Sequence, residues 1–416
     1  QYFKNRLYYI DVKGMLSSLH GSAGAITALQ NSVAHYYQRA SSADYLGVDP
    51  TRRSLTGTGG YVKVGRKGNA KWNFSETFTW SSPGFDLNDM GYMKETDYLM
   101  NETEIMYRQT DIWKIFRYNA FTLSQKNMWN YGGTPFSNNA SLRWQSMTMN
   151  RYEWDVKETF AWNWLDSRLL RGGPDVRFGS YFLTSAKFNT DKAKRMMFML
   201  KYEGDHNFEG NRFNTISPSL TFRLGNHVYL SGQLDYAWNT DEMQYVATTS
   251  PLSSSSLAPY YYVMGHMDQK TYGLTLKLQV NVTPDISIQF YGAPFTSIAK
   301  YDDFKLAADT KSHTFENRFQ RIDPDQLTYA DGVYTIGEGA GQMPFRNPDF
   351  RFNEFRSNLV ARWEYLPGST LYFVWEHRMS NRDNWYSSGW GSNLDRMWGL
   401  PATNTFMIKM NYWFNL

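Results

Sequence analysis

The chain has 416 residues, a net charge of +4 with no basic block, no cysteine, and a mean hydropathy of -0.58, although 17% of its residues are aromatic. Without cysteine there is no disulfide, thiolate metal site or cysteine nucleophile, and so weak and dispersed a charge gives nucleic acid binding little support. No run approaches the roughly eighteen apolar residues of a membrane helix, but strands of about 9–11 residues cross a bilayer with every second residue apolar and look polar on average.

Taken in chain order, strand-like segments centre near Tyr9, Val62, Phe74, Glu104, Phe121, Trp144, Phe160, Phe182, Phe198, Leu220, Leu230, Tyr245, Val263, Leu276, Ile288, Leu359, Phe373 and Ile408. The signal is period two. Leu274, Leu276, Leu278, Val280 and Val282 alternate with Thr275, Lys277, Gln279 and Asn281. In the last segment Phe406, Ile408, Met410, Tyr412 and Phe414 oppose Met407, Lys409, Asn411 and Trp413. Side chains alternate across a strand, so each segment has one apolar face. The stretch 239–269 is the weakest: it reads as two short strands with a turn at Ser253–Ser256.

The connections come in two sizes. Gly225-Asn226, Pro284-Asp285 and Pro367-Gly368-Ser369 are short turns. The segments 22–53, 82–95, 165–174, 239–245, 301–350 and 380–402 are long and rich in Gly, Ser, Asn, Asp and Pro. Trp363/Tyr365 and Tyr412/Phe414 put aromatics at the ends of apolar faces, as at membrane interfaces. The opposite faces carry Lys277, Arg362, Glu364, Asp235 and Lys409, which a wet lumen accepts and a dry core does not. The expected fold is therefore all-β: an antiparallel transmembrane β-barrel of at least about eighteen strands, with short periplasmic turns and long extracellular loops.

Four stretches, WSSPGFDLNDMGYM (Trp80–Met93), DSRLLRGGPDVR (Asp166–Arg177), VNVTPDISIQFYGAPF (Val280–Phe295) and SNLVARWEYLPGSTLYFVWEHR (Ser357–Arg378), resemble one family, as does His35–Gly60. It is the C-terminal barrel region, a domain of unknown function, of Bacteroidota outer-membrane proteins that carry an N-terminal carbohydrate-binding family 9-like domain. The resemblance implies a Gram-negative outer membrane. It also implies that residues 1–416 form a single barrel domain lacking upstream strands and an N-terminal periplasmic binding domain.

Candidate functional residues follow from this frame. Lys277, Arg362, Glu364, Lys409 and Asp235 would set lumen polarity and selectivity. Arg171-Gly172-Gly173-Pro174 reads as a preset loop turn, the alternative being an anion clamp formed by Arg171 with Arg168. Trp385, Tyr386, Trp390 and Trp398 offer flat aromatic faces to a protein partner or to a glycan. No two of the seven histidines have metal-ligand spacing, and the loop acids Asp302, Asp303, Asp323, Asp325, Asp331 and Glu338 lack calcium-loop spacing. His377, beside Glu376, is the best base for an embedded hydrolase, but a girdle role is the plainer reading. No catalytic residue, metal or cofactor is expected. The expected function is an outer-membrane channel, receptor or scaffold for glycan-type ligands. The alternatives are an anchor subunit of a larger complex or an embedded hydrolase. Expected partners are membrane lipid or lipopolysaccharide, other outer-membrane or surface lipoprotein subunits, and glycans, but not nucleic acid.

Overall fold

Alternating side chains become paired strands in the computed structural model, which describes residues 2–3, 7–39, 44–88, 91–162, 164–252, 259–384 and 390–414. Sixteen strands follow one another as an antiparallel meander. They are β1 (Tyr8–His20), β2 (Ser54–Arg66), β3 (Trp72–Ser81), β4 (Tyr98–Gln109), β5 (Phe116–Trp129), β6 (Pro135–Thr148), β7 (Glu153–Trp162) and β8 (Tyr181–Asn189). Then come β9 (Met196–Asn207), β10 (Arg212–Leu224), β11 (Val228–Thr249), β12 (Tyr261–Asn281), β13 (Ile286–Ala307), β14 (Phe350–Leu366), β15 (Ser369–Asp383) and β16 (Thr403–Asn411). Each pairs with its neighbours in this order. The short pieces Tyr2–Phe3 on β1 and Phe319–Arg321 on β13 bring the sheet to 18 strands.

The all-β antiparallel expectation is met, with one correction to the strand list. Leu230 and Tyr245 share β11, and Val263 and Leu276 share β12, so 239–245 is strand rather than loop. Register shifts between Asp241 and Gln244 and between Tyr245 and Ala247 explain the misreading. A bulge inserts a residue and breaks the period of two in the sequence while the ladder continues. Likewise, 301–307 completes β13, so the connection after it is shorter than expected. The turn expected at Ser253–Ser256 lies outside the described residues.

The two sizes of connection separate to opposite ends of the strands. One end holds 67–71, 110–115, 149–152, 190–195, 225–227, 282–285 and 367–368. The other holds 21–53, 82–97, 163–180, 250–260, 308–349 and 384–402, with short 130–134 and 208–211 among them. Gly225 (φ 60°) and Gly368 (φ 79°) take the left-handed backbone of two of the tight turns, where a Cβ would be strained.

Registered partners lie on one face of a sheet, so the ladder defines two faces. Phe222, Leu230, Leu278, Phe290, Leu359, Trp375 and Phe406 form one row of the apolar face. Ser231, Lys277, Tyr291 and Asn358 form a row of the polar face. Among the described residues β1 and β16 are not paired with each other, so the sheet keeps two free edges and does not close. Ile408 on β16 is 72% exposed and Leu16 on β1 is 72% exposed.

Buried residues collect at the long-connection end. A three-stranded sheet (Leu327–Ala330, Val333–Ile336 and Met343–Arg346) brings Ile336 and Phe345 against Val263, Met267, Ala299 and Tyr301. The hairpin Trp164–Asp166/Val176–Phe178 belongs to the segment whose Leu170 and Val176 pack with Met243, Met264 and Phe319. Helix α1 (Ala23–Gln30), N-capped by Ser22, buries Ile26 against Tyr37 and Leu55. The long connections are thus a packed cap.

Candidate functional site

The cap is held by charges with little access to water. Asp97 accepts from Arg39 Nη2 at 2.7 Å, from the Tyr45 hydroxyl at 2.6 Å and from the Tyr131 backbone N–H at 3.1 Å. Arg39 also donates to Ser167 Oγ and to the Tyr36 carbonyl, so this one pair ties together 21–53, 82–97, 130–134 and 163–180. Arg318, 1% exposed, makes a two-pronged bond to Glu209 (2.9 and 2.8 Å) and donates to the carbonyls of Arg177 and Ser312. Arg351 and Asp383 form a third pair, where β14 and β15 enter the cap. His35 bridges the Pro83 carbonyl (2.9 Å) and Asp86 (3.1 Å). Burial pushes the Tyr37 phenol up to about 12. The Tyr45 phenol is raised as well, by burial and then by its bond to Asp97.

The connection 82–97 folds onto the polar face of β2. A Cβ at Gly57 would lie 2.1 Å from the Phe85 nitrogen, and one at Gly59 would meet the Phe85 ring at 2.5 Å. The Asp86 N–H donates to Ser17 Oγ on β1. Glycine is required at 57 because the loop backbone occupies the space of a side chain.

All five residues expected to line a lumen lie on the polar face, but they do not form one site. Lys277 borders an open cavity of about 420 Å³ with Tyr229, Gln279, Gln289, Tyr291 and Asn358. Lys277 and Lys409 form no ion pair among the described residues. Arg362 pairs with Glu364 at 2.5 Å, and Glu364 also accepts from the Gly368 N–H at 3.0 Å, so this carboxylate fastens a turn. Asp235 accepts from Ser217 Oγ (2.6 Å) and Gln233 Nε2 (2.9 Å), four residues along β11 from the Lys277 row. A second cavity, of about 210 Å³, lies at the cap end and is lined by Asp166, Asp205 and Asp241 with Tyr181 and Asn239. Among the described residues no group of three or more acids or histidines is placed to hold a metal ion.

Arg171 to Pro174 form the expected turn: Gly173 N–H donates to the Leu170 carbonyl, and Gly172 has φ 103°. The anion clamp does not assemble. Arg168 pairs with Glu95 at 3.1 Å, and Arg171 stacks over the Tyr245 ring at 4.4 Å. The aromatic segment is not wholly a loop, since Trp390–Trp398 is a helix, α2. Trp398 is 53% exposed and meets Phe355 edge-on at 4.8 Å, while Trp385 and Tyr386 lie outside the described residues. His377 bonds Asn404 Oδ1 at 2.8 Å between the rings of Trp375 and Phe355.

Sequence reading missed the Arg39–Asp97 and Arg318–Glu209 pairs. Their partners are far apart in the chain and sit in polar segments where isolated charges read as solvated. The arrangement as a whole offers a polar face with amides, tyrosine hydroxyls and unpaired lysines, covered at one end by a stapled cap. Such a surface suits hydroxyl-rich or anionic solutes.

A protein-family model described as a domain of unknown function (DUF5916) matches residues 21–416. No curated protein and no solved structure matches the chain.

Proposed function

Because the chain belongs to the DUF5916 family, whose description names no activity, we propose a function from its geometry: a transmembrane β-barrel of a Gram-negative outer membrane, acting as a cap-restricted channel or receptor for glycan-type solutes. One observation carries the reading. The wall strands have an apolar face with aromatics near its margins, a polar face bearing Lys277, Asp235 and Lys409, and connections sorted by length to opposite ends. A bilayer requires such a two-faced wall, and short turns on one side with long loops on the other match its asymmetry.

The free edges of β1 and β16 meet in the closed form. These strands run in opposite directions, so closure takes either no further strand or an even number of them. Tyr2–Phe3 pairs with Tyr9 and Tyr8 at the short-connection end of that edge. In keeping with the family resemblance, the barrel is the membrane part of a Bacteroidota protein that carries a carbohydrate-binding family 9-like domain.

The packed cap supports a second reading, an anchor subunit of an outer-membrane complex whose lumen stays shut. Reconstitution of the full-length protein in planar bilayers separates the two. A channel gives small unitary currents that glycans block. Silence that persists when the Arg318–Glu209 staple is removed by Arg318→Ala favours the anchor and refutes the channel.

A further inference from the structure

Much of the polar face satisfies itself across the strands. Gln269 and Thr271 both bond Ser297 Oγ, Thr221 bonds Ser231, Arg143 grips Asp155, and Arg356 and Arg378 share Glu354. Around the open cavity beside Lys277 this pattern stops. The cavity is built from two adjacent rows of the ladder, Lys277–Tyr291–Asn358 and Tyr229–Gln279–Gln289. Among the described residues, the Lys277 ammonium, the Gln289 amide and the Tyr229 and Tyr291 hydroxyls have no hydrogen-bond partner or counter-charge in the protein. Asn358 Oδ1 is buried and has no partner either. Buried polar atoms are rarely left unpaired, so five unengaged groups around one space of about 420 Å³ point to a ligand.

We propose that this cavity is a binding site for an acidic sugar, a pyranose ring that carries one carboxylate. It rests on the reading of the polar face as the lumen of a glycan-handling barrel, and it names the class of solute held there. Lysine only donates and is a point charge, so Lys277 takes one anionic group. Asn358 Oδ1 only accepts, so the ligand brings an O–H to that end. The two residues are two strand spacings apart in one row, roughly 10 Å, which a sugar acid with a hydrogen bond at each end spans. Tyr291 lies between them and is 39% exposed, offering its ring to the C–H face of the sugar. Glu376, opposite Asn358 on β15, sets the orientation by keeping the carboxylate at the Lys277 end. A bare inorganic anion would engage Lys277 and leave the Asn358 oxygen without a donor. A neutral sugar would leave the ammonium without a counter-charge. The cap-end cavity, with Asp166, Asp205 and Asp241, repels the same carboxylate, so the site is specific to the Lys277 rows.

Galacturonate and galactose differ only in carrying a carboxylate or a hydroxymethyl group on the same ring. Each is titrated into the full-length protein in detergent micelles and followed by ligand-detected NMR. Galacturonate should bind about tenfold more tightly than galactose, as a charge-assisted bond does against a neutral one. Lys277→Met should bring galacturonate down to the galactose level. Lys409→Met, which removes the other unpaired lysine of the same face, should leave the preference intact. Equal affinities, no binding, a preference lost equally with Lys409→Met, or displacement by inorganic phosphate as effective as by galacturonate would overturn the proposal. A water-soluble maleimide tests the underlying reading separately, on Tyr291→Cys and Leu278→Cys in isolated outer membranes, against a background without native cysteine. Only Tyr291→Cys should react. Modification of Leu278→Cys refutes the membrane-spanning wall, whereas the expected labelling without galacturonate binding refutes the acidic-sugar site alone.

Discussion

Asp97→Asn removes one charge from the cap and little else. Asp97 has φ 62°, a conformation that asparagine tolerates, so backbone strain does not confound the change. Its side chain is 0% exposed and that of Arg39 is 9% exposed, so the variant takes the Asp97 charge away from a guanidinium held out of water. Removing one partner of a buried pair costs about 3–5 kcal/mol. Arg39 keeps its bonds to Tyr36 and Ser167, so the lower figure applies, and about 3 kcal/mol is roughly two decades in an equilibrium constant. The readout is native-state hydrogen exchange in the peptides that contain Tyr37, Thr96 and Tyr131. These should exchange about a hundredfold faster, while β9 to β12 keep the wild-type rate because the cap opens locally. Adding Arg39→Met should restore most of the protection, since an apolar replacement of the whole pair carries no stranded charge. A change below threefold, or equal acceleration in the wall strands, would refute the view of this pair as a staple that belongs to the cap alone.

Gly57→Ala should lift the connection 82–97 off β2, because its Cβ would lie 2.1 Å from the Phe85 backbone; cleavage of that connection by added protease should rise severalfold, whereas Gly14→Ala, with nothing within 4 Å, should change nothing. Tyr37 should resist ultraviolet-detected ionisation until about pH 12. Since an unfolded tyrosine ionises near pH 10, stability from its protonated form is complete below about 10 and is lost on rising towards 12, so the cap's exchange protection, relative to the intrinsic rate at each pH, should fall in that window. Lys277→Glu should move the ion preference of reconstituted protein towards cations without altering its yield in the membrane, and an unchanged reversal potential would place Lys277 off the conduction path.

The wall was legible because its information is local. A strand's two faces are written in alternate residues, as in Leu274–Val280, and its turns in Gly225 or Gly368. What failed was local as well: the register shifts beside Asp241 and Tyr245 scramble the alternation over a few residues, so one strand read as two. The cap was not legible. Arg39 and Asp97 are 58 positions apart and Arg318 and Glu209 are 109 apart, and no periodicity links them. The run Arg171-Gly172-Gly173-Pro174 lies between these cases. Its turn chemistry announced the bend, but only the fold shows that Arg168 and Arg171 are already engaged by Glu95 and Tyr245.

On the membrane-spanning reading proposed above, the cap and the wall answer to different solvents, and their contrasting chemistry follows. Wall strands satisfy their backbone groups in the ladder wherever they lie, so their side chains are free to follow the medium on each side, apolar on one face and polar on the other. The connections have no ladder, and a segment as long as 308–349 would remain loose if left in water. It is ordered instead by burying Ile336 and Phe345 under β12 and β13 and by placing Arg318 against Glu209. Buried ion pairs contribute little net stability compared with apolar contacts, but they are unforgiving of wrong partners. A cap stapled in this way has one closed arrangement and a small number of bonds to break on opening. Opening at the Arg318 or Asp97 staples therefore need not disturb any ladder in the wall below.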